Sequence, residues 1–439
     1  MKNRRSSIVT TFILAPLVSI TAQVTASGDL TRHIYDILAS MPSSYGGEEY
    51  EEPSNTDRKM WRDVIDAILN KDYETAHTKA LNLDYQLTEF TDTSDDSSIV
   101  YYILERSADA ESNHWGTFIF NQWARRKNLV IQCPHPLYDM NTGKEGLLAF
   151  ETAGARAYFV SGTHRCNAEQ ESSCSGSSSV CTGTSEAYRY SDQAHVVEGT
   201  FQLTTEVLFE HVPEVIAIQP HGFGKKSTDP DLILSNGSKE EPDIDYLSKM
   251  KDNYAEIDNS LTFRIAHIDE EWTRLIARTN TQGRLLNGSD DPCDAYASGN
   301  SGRFIHIEQA YSKLRDSESN WEKLANVILL TFPENPMSVG ASGRLLPQEF
   351  SLYQNYPNPF NPATAIRYDL PQQADVELTI YNVLGRQVAV AVNGWREQGR
   401  HEVMWDGTDN FGRSVSAGVY LYQIRAGDFS RTRKMLLLK

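Results

Sequence analysis

Apolar and polar positions along this chain follow two rhythms. From Asp57 to Thr88 (DRKMWRDVIDAILNKDYETAHTKALNLDYQLT) apolar residues recur at helical spacing, with one polar side. Short apolar runs follow, and each predicts a strand: IVYYILER, WGTFIFNQW, NLVIQC, ARAYFVSG, EVIAIQP, LTFRIAHI and GRFIHIEQ. Between and after them lie stretches of helical period: GKEGLLAFETAG, SDQAHVVEGTFQLTTEVLFEHV and NWEKLANVILLTF. Ser191 and Asp192 are capping candidates for the second of these. Strand–helix–strand alternation predicts an α/β fold, a largely parallel mixed sheet covered by helices. Ligand sites in such sheets gather at the carboxyl ends of the strands.

From Phe350 onward the rhythm shortens. The runs AIRYDL, VELTIYNV, HEVMWDG, VYLYQIRAG and KMLLLK are separated by turn pairs such as Leu384-Gly385, Asn393-Gly394 and Asp406-Gly407. This spacing predicts a small all-β, immunoglobulin-like sandwich. At the other end, a basic stretch (Lys2 to Arg5) precedes the apolar segment IVTTFILAPLVSI and the small residues of TAQVTAS. That order predicts a secretory signal peptide cut after Ala22 or Ala26. The apolar run is too short and interrupted for a stable membrane span, and no later segment is long enough. The expected organisation is a signal peptide over residues 1–26, then a helical segment over 27–94 packed on the main domain. The α/β domain follows over 95–335, a linker over 336–349 and the sandwich over 350–439.

The wording of the last segment is more specific than its pattern. SLYQNYPNPFNPATAIRYDLP, LTIYNVLGRQV, WDGTDNFGRSVSAGVYLYQIRAG and the final KMLLLK resemble the C-terminal sorting domain of the type IX secretion system. The resemblance implies export across a Gram-negative envelope by that machinery, removal of the sorting domain, and release or cell-surface attachment of the rest.

Charge narrows the partners. The chain carries 59 acidic and 41 basic residues, a formal net charge of −18. The sandwich is close to neutral, so almost all of the excess lies ahead of it. Nucleic acid is excluded as a partner, because phosphate binding needs a basic face. Of five cysteines, Cys166, Cys174 and Cys181 fall in the Ser/Gly-rich stretch HRCNAEQESSCSGSSSVCTGTSEAYRY. At least one disulfide among them is expected, since such a loop is costly to order. Four cysteines allow three pairings with Cys293 included, and Cys133, inside an apolar strand, is the odd one. A cysteine zinc cluster is disfavoured by the lack of any Cys-x-x-Cys pair.

Three predicted strands end in histidine: His135 within PHPLYD, His164 within THR and His221 within PHGF. A fourth carries Glu308 in FIHIE. Catalytic zinc sites commonly take two histidines and a carboxylate, and a further carboxylate serves as base. His135, Asp139 and His221 are therefore the candidate Zn2+ ligands and Glu308 the candidate base. His164 and Arg165 are candidates for oxyanion or substrate-carboxylate binding, a task suited to a planar guanidinium. Arg189 is a further substrate-binding candidate. Each has a plainer reading: Asp139 as a cap of the helix near Thr142, His221 as a turn residue, Glu308 as an edge-strand residue. Asp192 and His195 read as a cap and a solvated face, His267 and His306 as structural.

In order, HPLYDMNTG, GTHR, IQPHGF and FIHIE resemble the zinc carboxypeptidase-like fold, nearest its N-formylglutamate amidohydrolase and poly-γ-glutamate hydrolase branches. The resemblance spans roughly residues 95–330. It implies a zinc-dependent hydrolase acting on an N-acyl, γ-glutamyl or peptide bond of a small-molecule or peptide substrate, with the ligands and base named above. The sequence departs from zinc carboxypeptidases in placing Asp139 four residues after the first histidine, where they have a glutamate after three. A non-catalytic surface binding protein on the same fold, or a metal-dependent hydrolase of another bond, remains open from sequence.

Overall fold

The computed structural model describes residues 24–94, 98–110, 112–212, 214–333, 350–352, 355, 358–427 and 429–438. The predicted linker and most of the predicted signal peptide lie outside them. The chain divides into two compact units, residues 1–333 and 334–439.

In chain order the first unit runs β1 (Val24–Gly28), α1 (Leu30–Ser40), α2 (Asn55–Leu69), α3 (Tyr73–Ala80), β2 (Tyr85–Asp92), β3 (Val100–Arg106), β4 (Thr117–Phe120) and β5 (Arg126–Cys133). It continues α4 (Thr142–Ala153), β6 (Ala155–Val160), α5 (Thr200–His211), β7 (Ile216–Phe223), β8 (Leu232–Ser235), α6 (Tyr246–Ile257), β9 (Phe263–Ile265), α7 (Thr281–Leu286), β10 (Phe304–Ala310) and α8 (Glu318–Thr331). The strands form one ten-stranded sheet, ordered β1-β2-β3-β4-β6-β5-β7-β10-β8-β9. Its centre, β6-β5-β7-β10, is parallel, and β4 and β8 flank it antiparallel. The expected mixed α/β sheet is the observed one.

Side chains alternate across each strand, so the sheet feeds two cores. One face packs Ile131, Ile218, Ile305 and Ile307 against α1, α4, α6 and α8. The other packs Val130, Ala217 and Phe304 against α2, α3, α5 and α7. Some of the helices are held at their starts by side chains: Ser54 and Asp57 form a reciprocal capping box on α2, and Asp29 and Asp245 cap α1 and α6.

Three sequence expectations need correction. The predicted helix over 57–88 is two helices, and its last residues, from Tyr85, belong to strand β2. Asp84, in the left-handed region at φ 58°, turns the chain there. The segment expected to be helical over 27–94 thus adds β2, and Val24–Gly28 adds β1, to the main sheet. The long helix expected from Ser191 begins only at Thr200, because Ser191 and Asp192 spend their side chains elsewhere.

The second unit is the expected all-β sandwich. One sheet is β11 (Ser351–Leu352), β12 (Thr364–Leu370) and β15 (Gly399–Trp405). The other joins β13 (Ala374–Asn382), β14 (Gln387–Arg396), β16 (Gly418–Ala426) and β17 (Phe429–Leu437). Leu352, Ile366, Tyr368, Leu378, Tyr422 and Met435 fill the space between them. Gly385 and Gly407 adopt positive φ at the predicted turns. Asn393-Gly394, however, lies within β14 and is not a turn.

Candidate metal centre at the strand ends

β7 and β10 run parallel with Glu308 directly opposite His221. On the α5/α7 face, alternate positions read Ala217, Gln219, His221 on β7 and Phe304, His306, Glu308 on β10. That face therefore turns from apolar to polar toward the carboxyl ends. β5 leads into Pro134-His135-Pro136, and the chain then makes a single helical turn in which the Asp139 N–H donates to the His135 carbonyl at 2.9 Å. Residues four apart on such a turn share a side. The longer spacing of Asp139 is thereby accommodated, and its carboxylate faces the histidines and not the α4 N-terminus.

His135 Nδ1, His221 Nδ1 and Asp139 Oδ2 converge. The two nitrogens are 3.2 Å apart, and the oxygen lies 3.4 Å from the first and 3.1 Å from the second. His135, Asp139, His221 and Glu308 are 2, 3, 4 and 6% exposed.

The proton positions follow from the outer partners. His135 Nε2 lies 2.7 Å from Asp192 Oδ1, and an ionised carboxylate only accepts, so Nε2 carries the proton. Burial works against a charge on Asp192, but Arg165 and His135 outweigh it and hold the carboxyl far below its usual range. His221 Nε2 lies 3.3 Å from Gln219 Oε1. A buried amide chain fixes that oxygen. Thr205 Oγ1 donates to the Phe201 carbonyl and accepts from Gln132 Nε2, both at 2.9 Å. Gln132 Oε1 then accepts from Gln219 Nε2 at 2.9 Å, leaving Gln219 Oε1 to accept from His221.

The neutral His221 ring consequently presents its Nδ1 lone pair to His135 and Asp139. On His135, burial and Arg165 oppose a second proton, but Asp192 and Asp139 outweigh them and raise its pKa. Two imidazole nitrogens and a carboxylate oxygen thus converge, and the positive charge beside them in this structure is a proton on His135 or the Arg165 guanidinium, whose Nη1 lies 3.3 Å from His135 Nδ1. A metal cation can take that place. Two imidazoles and one carboxylate are the donor set of catalytic zinc sites. The residues present fit zinc.

Glu308 stands beside this cluster. Burial, then the Asp139 charge, push its carboxyl up to about 8. Its Oε2 has no hydrogen-bond partner, and His306 Nε2 is 3.6 Å from Oε1. Burial and His221 drive the His306 imidazole well below its ordinary value, so it is neutral. His221, His306 and Glu308 form a second cluster with metal-ligating spacing. His306, read from sequence as structural, thus borders the site. The signal was present: residues two apart on a strand share a face, so a strand that aims Glu308 into the cleft also aims His306 there.

Arg165 is buried, with Nε and Nη2 donating to Asp192 Oδ2 and Nη1 3.3 Å from His135 Nδ1. One edge of the guanidinium is fixed and another points at the cluster. Asp192, read as a helix cap, orients both His135 and Arg165. Ser191 Oγ donates to the Arg165 carbonyl at 2.9 Å and accepts from the Ala168 N–H at 3.1 Å. His164 faces elsewhere: the Cys166 N–H donates to its Nδ1 at 3.1 Å, and its ring lies against Tyr45 and Tyr138. Burial and then Arg165 lower its pKa to about 4. Arg189 binds Glu186 and the Glu169 carbonyl, and none of its described contacts reaches the cluster. His195 stacks on Tyr188 at 3.7 Å, with 6.4 Å between its ring and that of His135.

Two disulfides hold the loop that carries Arg165 and Asp192. Cys166–Cys181 closes it internally, and Cys174–Cys293 ties it to the segment after α7. Cys133 is free and buried, as its strand position suggested.

Residues 361–428 match the FlgD Ig-like domain family. No curated protein matches the chain. Among solved structures, the chain is similar to dimeric latent PorU from Porphyromonas gingivalis, at 21% identity over 21% of this chain and 9% of that one, with a TM-score of 0.19. It is also similar to the N-formylglutamate amidohydrolase of Ralstonia eutropha JMP134, at 10% identity over 50% of this chain and 96% of that one, TM-score 0.30. An aspartoacylase family protein of Mesorhizobium loti is 12% identical over 81% of this chain and 99% of that one, TM-score 0.29.

Proposed function

We propose that this chain is an exported zinc-dependent hydrolase that cleaves an amide bond of the N-acyl, γ-glutamyl or peptide type. The observation that carries the reading is the buried convergence of two imidazole Nδ1 atoms and one carboxylate oxygen, with each histidine oriented by a buried outer partner, Asp192 for His135 and Gln219 for His221. His135, Asp139 and His221 would hold the ion. When bound, zinc polarises a carbonyl and lowers the pKa of a water toward about 7.

The chain's own groups supply the rest. Glu308 sits at the cluster with an unpartnered oxygen and a pKa raised to about 8 by burial and the Asp139 charge. A bound cation would bring it down toward neutrality, the range in which a carboxylate both accepts and returns a proton efficiently. It takes the proton of the attacking water and passes it to the departing nitrogen. Arg165, locked by Asp192, directs Nη1 toward the place where negative charge develops on the carbonyl oxygen. His306, neutral and buried, adds no positive charge of its own beside Glu308.

Export is part of the reading. The resemblance of the second unit to a type IX sorting domain, and the two disulfides of the first, support delivery to an oxidising exterior. No helix among the described residues is long and apolar enough to cross a membrane. Of the two signal-cleavage positions, Ala22 leaves β1 whole, whereas Ala26 cuts within it.

The test joins metal analysis to a screen. The isolated protein should hold one zinc ion per chain and hydrolyse a member of a panel of formylated, γ-glutamyl and peptide substrates. Failure to bind zinc would remove the basis of the proposal. Zinc binding without turnover on any of the panel would favour a binding protein or another bond.

A further inference from the structure

We propose that Arg315 is the positioning residue that sets the geometry of the cluster from the opposite side of the sheet. The inference rests on the metal-site reading above.

Arg315 is 3% exposed; among the described residues no carboxylate lies within ion-pair distance of it, and the more distant buried Glu145 and Glu308 feel its charge. A buried guanidinium without a paired charge is costly, so something must hold it there. Its contacts name the purpose. Nη1 donates to the Met140 carbonyl at 2.6 Å, and Nε donates to the Gln309 carbonyl at 3.3 Å. The guanidinium lies against Gly222, where an added Cβ would stand 2.1 Å from Cζ. Met140, Gly222 and Gln309 directly follow Asp139, His221 and Glu308. One side chain thus touches the neighbour of two candidate ligands and of the candidate base.

The backbone of Arg315 adds to this. Its carbonyl accepts from Asn141 Nδ2 at 2.8 Å and from Trp321 Nε1 at 3.0 Å. The Asp139 loop is therefore gripped at two successive residues. The chain can return to its own strand because Lys313 adopts φ 74°, a left-handed conformation unusual for a side chain of that length. Lys313 Nζ donates to the Ser260 carbonyl at 3.1 Å and anchors the turn.

Adjacent residues on a strand point to opposite faces. Gly222 and Gln309 face Arg315 for the same reason that His221 and Glu308 face the cluster. Shifting either strand, or the Asp139 loop, by a fraction of an ångström would spoil the convergence. Ligand-orienting partners of this kind typically alter metal affinity by about 10–100-fold when changed.

The experiment uses the full chain, with cobalt(II) as a visible probe and zinc competition against a chromogenic chelator. Arg315→Gln should weaken both metals by about tenfold or more and shift the cobalt absorption bands. Arg315→Lys, which keeps charge but loses the fork, should fall between it and the parent. Gly222→Ala retains the arginine but displaces its guanidinium, and should weaken binding in the same direction. Unfolding of the chelated protein shows which variants fold, and Gly222→Ala decides if Arg315→Gln does not. Parental affinity and parental bands in the folded variants would overturn the proposal, provided His135→Ala abolishes binding. If His135→Ala also binds as the parent does, the metal-site reading itself has failed.

Discussion

The two faces of β7 and β10 have the same burial and opposite chemistry. One presents Ile216 and Ile218 beside Ile305 and Ile307, all within 4% exposure. The other presents Gln219 and His221 beside His306 and Glu308, within 6%. Burying an apolar side chain yields about 1.5–3 kcal/mol, whereas a buried polar group without a partner costs about 1–3 kcal/mol. A chain that only needed a stable sheet would make both faces alike. The isoleucine face acts as foundation, and the polar face, with Gln219 and His221 hydrogen-bonded but His306 Nδ1 and Glu308 Oε2 without partners, is what that foundation carries.

The comparison breaks most sharply at the ligands. His221→Ala should abolish zinc binding and any hydrolysis while leaving the apolar face intact, so the apoprotein should unfold near the parental temperature. Zinc stoichiometry by elemental analysis checks the first part and thermal denaturation with chelator the second. Retained stoichiometric zinc would place the site elsewhere.

Next in size is Glu308→Gln, which keeps shape and removes the base. Turnover should fall by roughly a hundredfold or more, the scale of a lost general base, with zinc content unchanged. A parental rate on a confirmed substrate would mean that the proton goes to another group.

On the foundation side, Ile218→Ala should do the reverse. Its cost is on the order of 2–5 kcal/mol of stability, the usual price of truncating a buried aliphatic side chain. Denaturant unfolding reads it. Zinc affinity of the folded fraction should stay within about threefold of the parent, since distant sites contribute independently. A large change in affinity would show that the packing of the isoleucine face, and not Arg315 alone, positions the ligands through the strand.

The isoleucine face was the more legible of the two. Strand runs such as EVIAIQP and GRFIHIEQ show alternation directly, and strand exits in an α/β sheet point to histidines there. His135, Asp139, His221 and Glu308 were reachable by that route. His164 shows its limit: it too follows a strand, but its Nδ1 takes a local backbone N–H, and spacing does not reveal which way a ring turns. Asp192 was hidden for a different reason. Ser-Asp ahead of a helical run reads as a cap, and its true partners, His135 and Arg165, are 57 and 27 residues away. Arg315 depends on a non-glycine left-handed residue, and Cys174–Cys293 on a contact across 119 residues. Local pattern carries neither.

The smallest effect tests how deeply the polar face is organised. Thr205 stands at the far end of the amide chain, three hydrogen bonds from His221 through Gln132 and Gln219. Thr205→Val keeps the shape and removes the hydroxyl, leaving Gln132 Nε2 without an acceptor, at a stability cost of about 1–3 kcal/mol. If Thr205 alone set the polarity of the chain, Gln219 could flip, and His221 would lose its preference for a proton on Nε2. Gln219 has other supports, however. Asn280 Nδ2 donates to its Oε1 at 2.8 Å, and its Nε2 donates to Gln282 Oε1 at 3.0 Å. The Gln282 amide is fixed in turn, since its Nε2 donates to the Gln193 carbonyl at 3.0 Å and to Gln202 Oε1 at 2.9 Å. The polarity is therefore held twice, and zinc affinity should fall only about twofold to threefold, less than for a direct partner of a ligand. Nitrogen-15 shifts of the His221 ring in the metal-free protein should still report the proton on Nε2. A tautomer switch, or a loss of affinity as large as that of Arg315→Gln, would show that the hydroxyl of Thr205 governs His221 and that the Gln282 and Asn280 contacts are passive.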